Sequence, residues 1–217
     1  LLYGEPGTGK TLLAKAVAAS TGMDALSQAI ESYWSTNSNQ KSKKFAEKSI
    51  RILMGYLEKA VNTEDKESKE RVMRAANLAG KAINITKTTA CHSIAYPLTS
   101  YFNIPHGHAV SLTLGEMLVY NSEANKEDCL DKRGLEYVKK TINKLINIID
   151  ARNPYEARNK IQELMKNIGL ETKLHELNIG EDEIKIIIKR GFNPERVKNN
   201  PRLLTEENLR RILKNII

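Results

Sequence analysis

From Thr21 onward, apolar residues recur at helical spacing almost without a break, and no strand pair joined by a hairpin turn follows residue 4. A chain patterned this way is restricted to a mainly α fold. Met23, Leu26, Ala29, Ile30, Tyr33 and Trp34 predict a helix over Thr21–Ser35. Ile50, Leu53, Met54, Leu57 and Val61 predict another over Phe45–Val61. The same reasoning gives helices over Lys69–Asn84, Thr88–Phe102, His108–Val119, Tyr137–Asp150, Pro154–Ile168, Glu181–Lys189 and Thr205–Ile216. The Thr88–Phe102 helix is apolar on most sides, as a buried helix should be.

Charge and composition exclude several functions. The net charge is +8, but Lys and Arg alternate with Glu and Asp, as in Glu64-Asp65-Lys66-Glu67. No basic run is interspersed with aromatics, so solvated helix faces explain the charge and no nucleic-acid partner is expected. The longest uncharged run, Ala90–Pro105, is broken by His, Ser, Thr, Asn and Pro and is too polar to span a bilayer. No secretory signal pattern is present, and Cys91 and Cys129 show neither metal nor redox spacing. A reducing cytoplasm is the expected location. The chain starts at Leu1, which suggests a piece of a longer protein.

The first 20 residues form a separate segment, set apart from a helical unit over 21–217. Gly4-Glu5-Pro6-Gly7-Thr8-Gly9-Lys10-Thr11 fits G-x-x-x-x-G-K-[ST]. In such a strand-loop-helix, Gly4, Gly7 and Gly9 let backbone N–H groups turn toward phosphate, Lys10 reaches the outer phosphates and Thr11 holds Mg²⁺. The run LLYGEPGTGKTLLAKAVA resembles the Walker A segment of AAA+ ATPases, which implies ATP with Mg²⁺. No Walker B strand follows: Leu145–Asp150 lacks the next Glu and sits in a helical pattern. The segment is therefore either a nucleotide site or a fusion remnant.

Three residues offer a metal shell. Asp24, His92 and His106 supply a carboxylate and two imidazoles, which suit a divalent ion with a position left for substrate. Each has an ordinary alternative. Asp24 follows Thr21 by three residues, as in a helix capping box. His92 fits a core histidine and His106, between Pro105 and Gly107, a turn residue. Spacing leaves these readings open.

TGMDALSQAIESY, ACHSIAYPLTSYFNIPHGHAV and NNPRLLTEENLRRIL together resemble the C-terminal helical domain of iron-containing alcohol dehydrogenases. The resemblance covers residues 21–217 in order. It implies a metal (Fe²⁺ or Zn²⁺) on Asp24, His92 and His106. The reaction implied is NAD(P)-linked hydride transfer on a small alcohol or aldehyde, and a homodimer is left open. Many members carry a further histidine ligand where this chain has Gln28, and an active-site histidine where it has Tyr96. Gln28 is then a weak ligand or a group that orients metal-bound water. Tyr96, one turn after His92, takes a proton-transfer role, and His108 is an alternative ligand or relay. The family holds its dinucleotide mainly in an N-terminal α/β domain, so this half alone is expected to lack turnover. A helical module without catalysis is the remaining alternative.

Overall fold

The structure, a computed structural model, describes residues 10–217, with side chains from residue 13. The described residues are mainly helical and contain no strand beyond an isolated bridge between Cys129 and Arg202. The helices are α1 (Lys10–Trp34), α2 (Gln40–Asn62), α3 (Lys66–Thr86), α4 (Ala90–Phe102), α5 (His106–Ser122), α6 (Leu135–Ile148), α7 (Pro154–Asn167), α8 (Glu181–Gly191), α9 (Pro194–Val197) and α10 (Glu206–Lys214). None is long and apolar enough to cross a membrane. Cys91 and Cys129 are both free thiols.

The helix expected to start at Thr21 starts at Lys10 and runs unbroken to Trp34. The Thr21–Asp24 capping box is therefore not there, because both residues lie inside α1. Thr-Gly mimics a helix start in sequence, but Gly22 serves packing: a Cβ there would sit 3.0 Å from Leu57 Cδ2. Gly4, Gly7 and Gly9 of the phosphate-loop pattern lie outside the described residues. Lys10 and Thr11 form the opening of α1, and no sheet that a Walker loop could spring from occurs among the described residues.

α5 is the central element. Every residue from Gly107 to Asn121 is buried, because α1, α4, α6, α7 and α10 all pack on it. Its entry is set by α4. Ten residues of helix would carry the chain roughly 15 Å from His92 to Phe102. Asn103, in the left-handed region (φ 56°), ends α4 and turns the chain, and Pro105 opens α5 at His106. Asn tolerates this conformation better than other side-chain-bearing residues.

The C-terminal segment fastens this assembly. Asn200 and Asn121 are fully buried and exchange side-chain hydrogen bonds of 2.8 and 3.2 Å. Arg202 stacks on the Tyr120 ring at 4.1 Å and donates to Asp128 Oδ2 (2.7 Å) and the Tyr120 carbonyl (2.7 Å). The NNPR run is thus a structural tie between the tail and the end of α5.

α1 and α5 cross at Gly107. A Cβ on Gly107 would overlap the Ser20 carbonyl oxygen and lie 2.8 Å from Asp24 Cβ. Backbone cannot yield as a flexible side chain can, so Gly107→Ala should destabilise the chain by ~1–3 kcal/mol. At Gly55, within α2, an added Cβ meets nothing within 4 Å. Gly55→Ala should stabilise by about 0.5–1 kcal/mol through helix propensity. Urea unfolding of both variants checks the pair; equal and small effects would contradict the close crossing.

Candidate metal centre

The crossing sets Asp24 beside His106, and α4 brings in His92. One ligand atom from each of Asp24, His92 and His106 falls within 4.8 Å of the others. The His92 and His106 rings meet edge to face, with centroids 5.5 Å apart. His92 is buried, Asp24 is half-buried and His106 is partly exposed at the rim.

The His92 ring is held from behind by Glu31, a residue that sequence reasoning missed. Glu31 is fully buried on α1 and accepts from His92 Nδ1 through Oε2. Its other oxygen accepts from the Thr89 hydroxyl (2.7 Å), the Cys91 N–H (2.8 Å) and the His92 N–H (3.4 Å). Trp34 Nε1 donates to the same Thr89 hydroxyl at 3.0 Å. A signal was available in the sequence: Asp24, Gln28 and Glu31 stand at i, i+4 and i+7, so the two carboxylates and the amide share one face of the helix. A carboxylate in such surroundings needs a partner.

The electrostatics follow from this contact. Burial alone would raise the Glu31 pKa, but the charge and hydrogen bond of His92 and the bonds from Thr89 hold it below the usual carboxylate range. Burial also opposes protonation of His92, yet Glu31 and Asp24 raise its pKa to about 9. His106 is lowered, first by burial and then by the charges of His92 and Arg196, with Asp24 opposing. A neutral His106 is a competent ligand.

Two atoms define the centre. His92 Nε2 and Asp24 Oδ1 are buried, lie 3.3 Å apart and have no hydrogen-bond partner. Buried polar atoms in folded proteins are almost always satisfied. With Nδ1 committed to Glu31, Nε2 is the nitrogen presented to the cluster. With the Nε2 proton displaced as a metal binds, the Nε2 lone pair, one on Asp24 Oδ1 and one on His106 make an N,N,O set that suits Fe²⁺ or Zn²⁺ with positions left open.

Gln28 donates through Nε2 to Asp24 Oδ2 at 3.0 Å, so in this structure it fixes the carboxylate. Tyr96 is 41% exposed, its ring centroid 6.2 Å from that of His106, and its hydroxyl accepts from Arg196 Nη2. His108 does not join the cluster: its Nε2 pairs with the Glu171 carbonyl at 2.8 Å. Beside Asp24 and His106, a cavity of about 410 Å³ is lined by Leu13, Ala16, Val17 and Pro105.

Removing the Glu31 side chain strips an acceptor from several buried donors at once, each costing about 1–3 kcal/mol when unmet. Glu31→Ala should lower stability by ~3 kcal/mol or more, with Glu31→Gln milder because its amide oxygen still accepts. Chemical denaturation of metal-free protein reads this; a loss of under about 1 kcal/mol for Glu31→Ala would contradict it.

Known proteins similar to this chain span nearly all of it. The family model for "Fe-containing alcohol dehydrogenase family, C-terminal" matches residues 18–217. Phosphonoacetaldehyde reductase of Streptomyces viridochromogenes is 29% identical over 95% of this chain and 50% of its own length. NADPH-dependent butanol dehydrogenase of Clostridium saccharobutylicum is 31% identical over 89% of this chain and 49% of its own. Among solved structures, sulfoacetaldehyde reductase from Bifidobacterium kashiwanohense in complex with NAD+ superposes with a TM-score of 0.77 at 29% identity, over 93% of this chain and 50% of that one. The chain thus spans about half the length of the relatives it matches. On this match across nearly all its residues, the chain belongs to the C-terminal domain family of the Fe-containing alcohol dehydrogenases.

Proposed function

We propose that this chain is the metal-holding half of an NAD(P)-linked oxidoreductase acting on a small alcohol or aldehyde. The observation that carries it is the convergence of Asp24, His92 and His106 with two buried, unpartnered atoms facing each other. The relatives' names, which include a butanol dehydrogenase and two aldehyde reductases, support the substrate class. The metal-holding unit is assigned to residues 21–217, with 1–20 as an appended segment. The family match beginning at residue 18 supports a boundary there, although α1 crosses it as one helix.

Asp24, His92 and His106 would hold a single Fe²⁺ or Zn²⁺. Bound there, the ion would polarise the substrate oxygen as a Lewis acid, while a nicotinamide supplies or takes the hydride. The protein groups do the rest. Glu31 keeps the His92 Nδ1 proton in place, so that Nε2 remains the donor nitrogen. Gln28 holds Asp24 Oδ2 and turns Oδ1 toward His92. Tyr96 accepts a hydrogen bond from Arg196, which leaves its own proton free to pass to or from the substrate oxygen. His108 braces the Glu171 carbonyl and takes no part. No observation favours ATP binding.

Hydride transfer needs the nicotinamide held at roughly 3–3.5 Å from the reacting carbon. The family resemblance assigns that task to an α/β domain, and the described residues contain no sheet. The purified chain should therefore bind one equivalent of Zn²⁺ or Co²⁺ without forming NAD(P)H from short alcohols. Glu31→Gln should weaken metal binding about 10–100-fold. His92→Ala and His106→Ala should each weaken it further, and Gln28→Ala less than Glu31→Gln. Metal titration against a competing chelator measures all four. Wild-type affinity in the His92→Ala variant would refute the site, and NAD(P)H formation by the chain alone would refute the division of labour.

A further inference from the structure

Lys43 is an amine that the metal centre does not use, and the fold encloses it. It lies in the first turn of α2, where Lys41 and Lys44 beside it are exposed while Lys43 is half-buried. Its Nζ stands 5.0 Å from the centroid of the Tyr33 ring on α1 and 4.4 Å from that of the Tyr137 ring on α6. It donates to the Thr141 hydroxyl, also on α6, at 2.8 Å. Among the described residues no carboxylate pairs with it. Asp131, whose charge reaches Lys43, is taken by Arg133, which donates to its two oxygens at 2.8 and 2.6 Å.

Enclosure changes what this amine can do. Two aromatic faces and one hydroxyl stand where an exposed lysine has water. Burial pushes the Lys43 amine below its usual range, the Arg133 charge adds to this, and Tyr137 and Asp131 oppose it. Burial first, then Glu47 and Tyr137, push the Tyr33 phenol up to about 12, so Tyr33 faces Lys43 as a neutral ring. Burial alone would raise the Tyr137 phenol, but Lys43 and Arg133 hold it below its usual range. Glu47 and Arg51, on α2 itself, pair with each other at 3.0 Å. The positive end of the α2 dipole disfavours a cation, but it acts on Lys41 and Lys44 as well. The three lysines therefore share a sequence neighbourhood and differ in enclosure. A neutral amine is a nucleophile, and lysines are activated in proteins by desolvation or by a neighbouring cation.

We propose that Lys43, set between Tyr33, Tyr137 and Thr141, is an acylation site, modified by small activated acyl donors (acyl phosphates or acyl thioesters) in preference to the exposed lysines beside it. The lone pair of Nζ attacks the acyl carbonyl carbon, and a C–N bond forms. The C–O bond to phosphate or the C–S bond to the thiol breaks, and one amine proton leaves with the phosphate or thiol. No oxidant or reductant is consumed. The product suits the enclosure. An amide carries no charge, so the cost of burying an ammonium between two rings is gone. Its N–H keeps the Thr141 hydroxyl as acceptor, and the repulsion between Lys43 and Arg133 is relieved. The inference is independent of the metal-centre reading.

Partial acetylation of the folded chain at neutral pH tests it, with acetyl phosphate in one arm and S-acetyl-N-acetylcysteamine in the other. Unfolding and exhaustive labelling with deuterated acetic anhydride then lets mass spectrometry read the acetylated fraction at each lysine. Lys43 should react about threefold or more faster than Lys41 and Lys44 in at least one arm, the gain in neutral amine outweighing the loss of basicity. A preference in one arm alone identifies the donor class. In urea the three should react alike, because only the fold distinguishes them. The Lys43 rate should also level off at a lower pH than theirs, a readout that access alone does not move. Asp131→Asn removes a charge that favours the ammonium and leaves Arg133 without its partner, so Lys43 should become faster still; unfolding of that variant would instead make the three lysines equal. Lys43 reacting no faster than Lys41 and Lys44 in both arms, or levelling off at the same pH as they do, would overturn the proposal. So would an Asp131→Asn variant that keeps its helical circular dichroism and labels Lys43 more slowly than wild type.

Discussion

The contact between Glu31 and His92 is the constraint on which the rest of the centre depends. Both side chains are buried, and each makes the other's burial tolerable: the carboxylate stays ionised because the imidazole and Thr89 donate to it. The same bond fixes which nitrogen His92 presents. Without it the ring would be free to turn or to carry its proton on Nε2, and the cluster would lose its donor. Three backbone or hydroxyl donors at the start of α4 converge on the same carboxylate, so α1 and the first turn of α4 are locked together by one residue.

The second requirement is closeness. Asp24 and His106 share a site because α1 and α5 touch at Gly107, where no larger residue fits. Ligand geometry is therefore set by the packing of two long buried helices, and not by a mobile loop. Rigid placement of this kind is what a first coordination shell needs, since tolerances are small. The Arg196 rim is held in the same way, by hydrogen bonds from Asn193, before α9, to Ser93 and from Asn199, after it, to Thr88.

Much of this was legible in the sequence, for identifiable reasons. The helical spacing of Ile50, Leu53 and Leu57 gave α2 because the helix has one buried face, and Leu53 and Leu57 lie in the core. Asp24, His92 and His106 stood out because their residue types and order match a family pattern, and the fold brings them together. The start of α1 was misread because Thr21-Gly22 has the composition of a helix start, while the glycine in fact answers to Leu57 across the packing. Glu31 was missed because a lone Glu inside a helix pattern looks solvated; the burial of Ala29, Ile30, Ser32 and Tyr33 around it makes the need for a partner plain. Tyr33, Lys43 and Tyr137 stand on three different helices, and only the fold brings them together.

The chain matches about half the length of its relatives, and their other half lies outside the matched span. The most direct test of the account is crystallographic. An anomalous difference map from crystals of the chain grown with Zn²⁺ should show one strong peak, ligated by Asp24 Oδ1, His92 Nε2 and His106, at about 2.0–2.2 Å from each. Glu31 should remain on His92 Nδ1. A peak coordinated by Glu31 itself, or by residues remote from Asp24, His92 and His106, would contradict it.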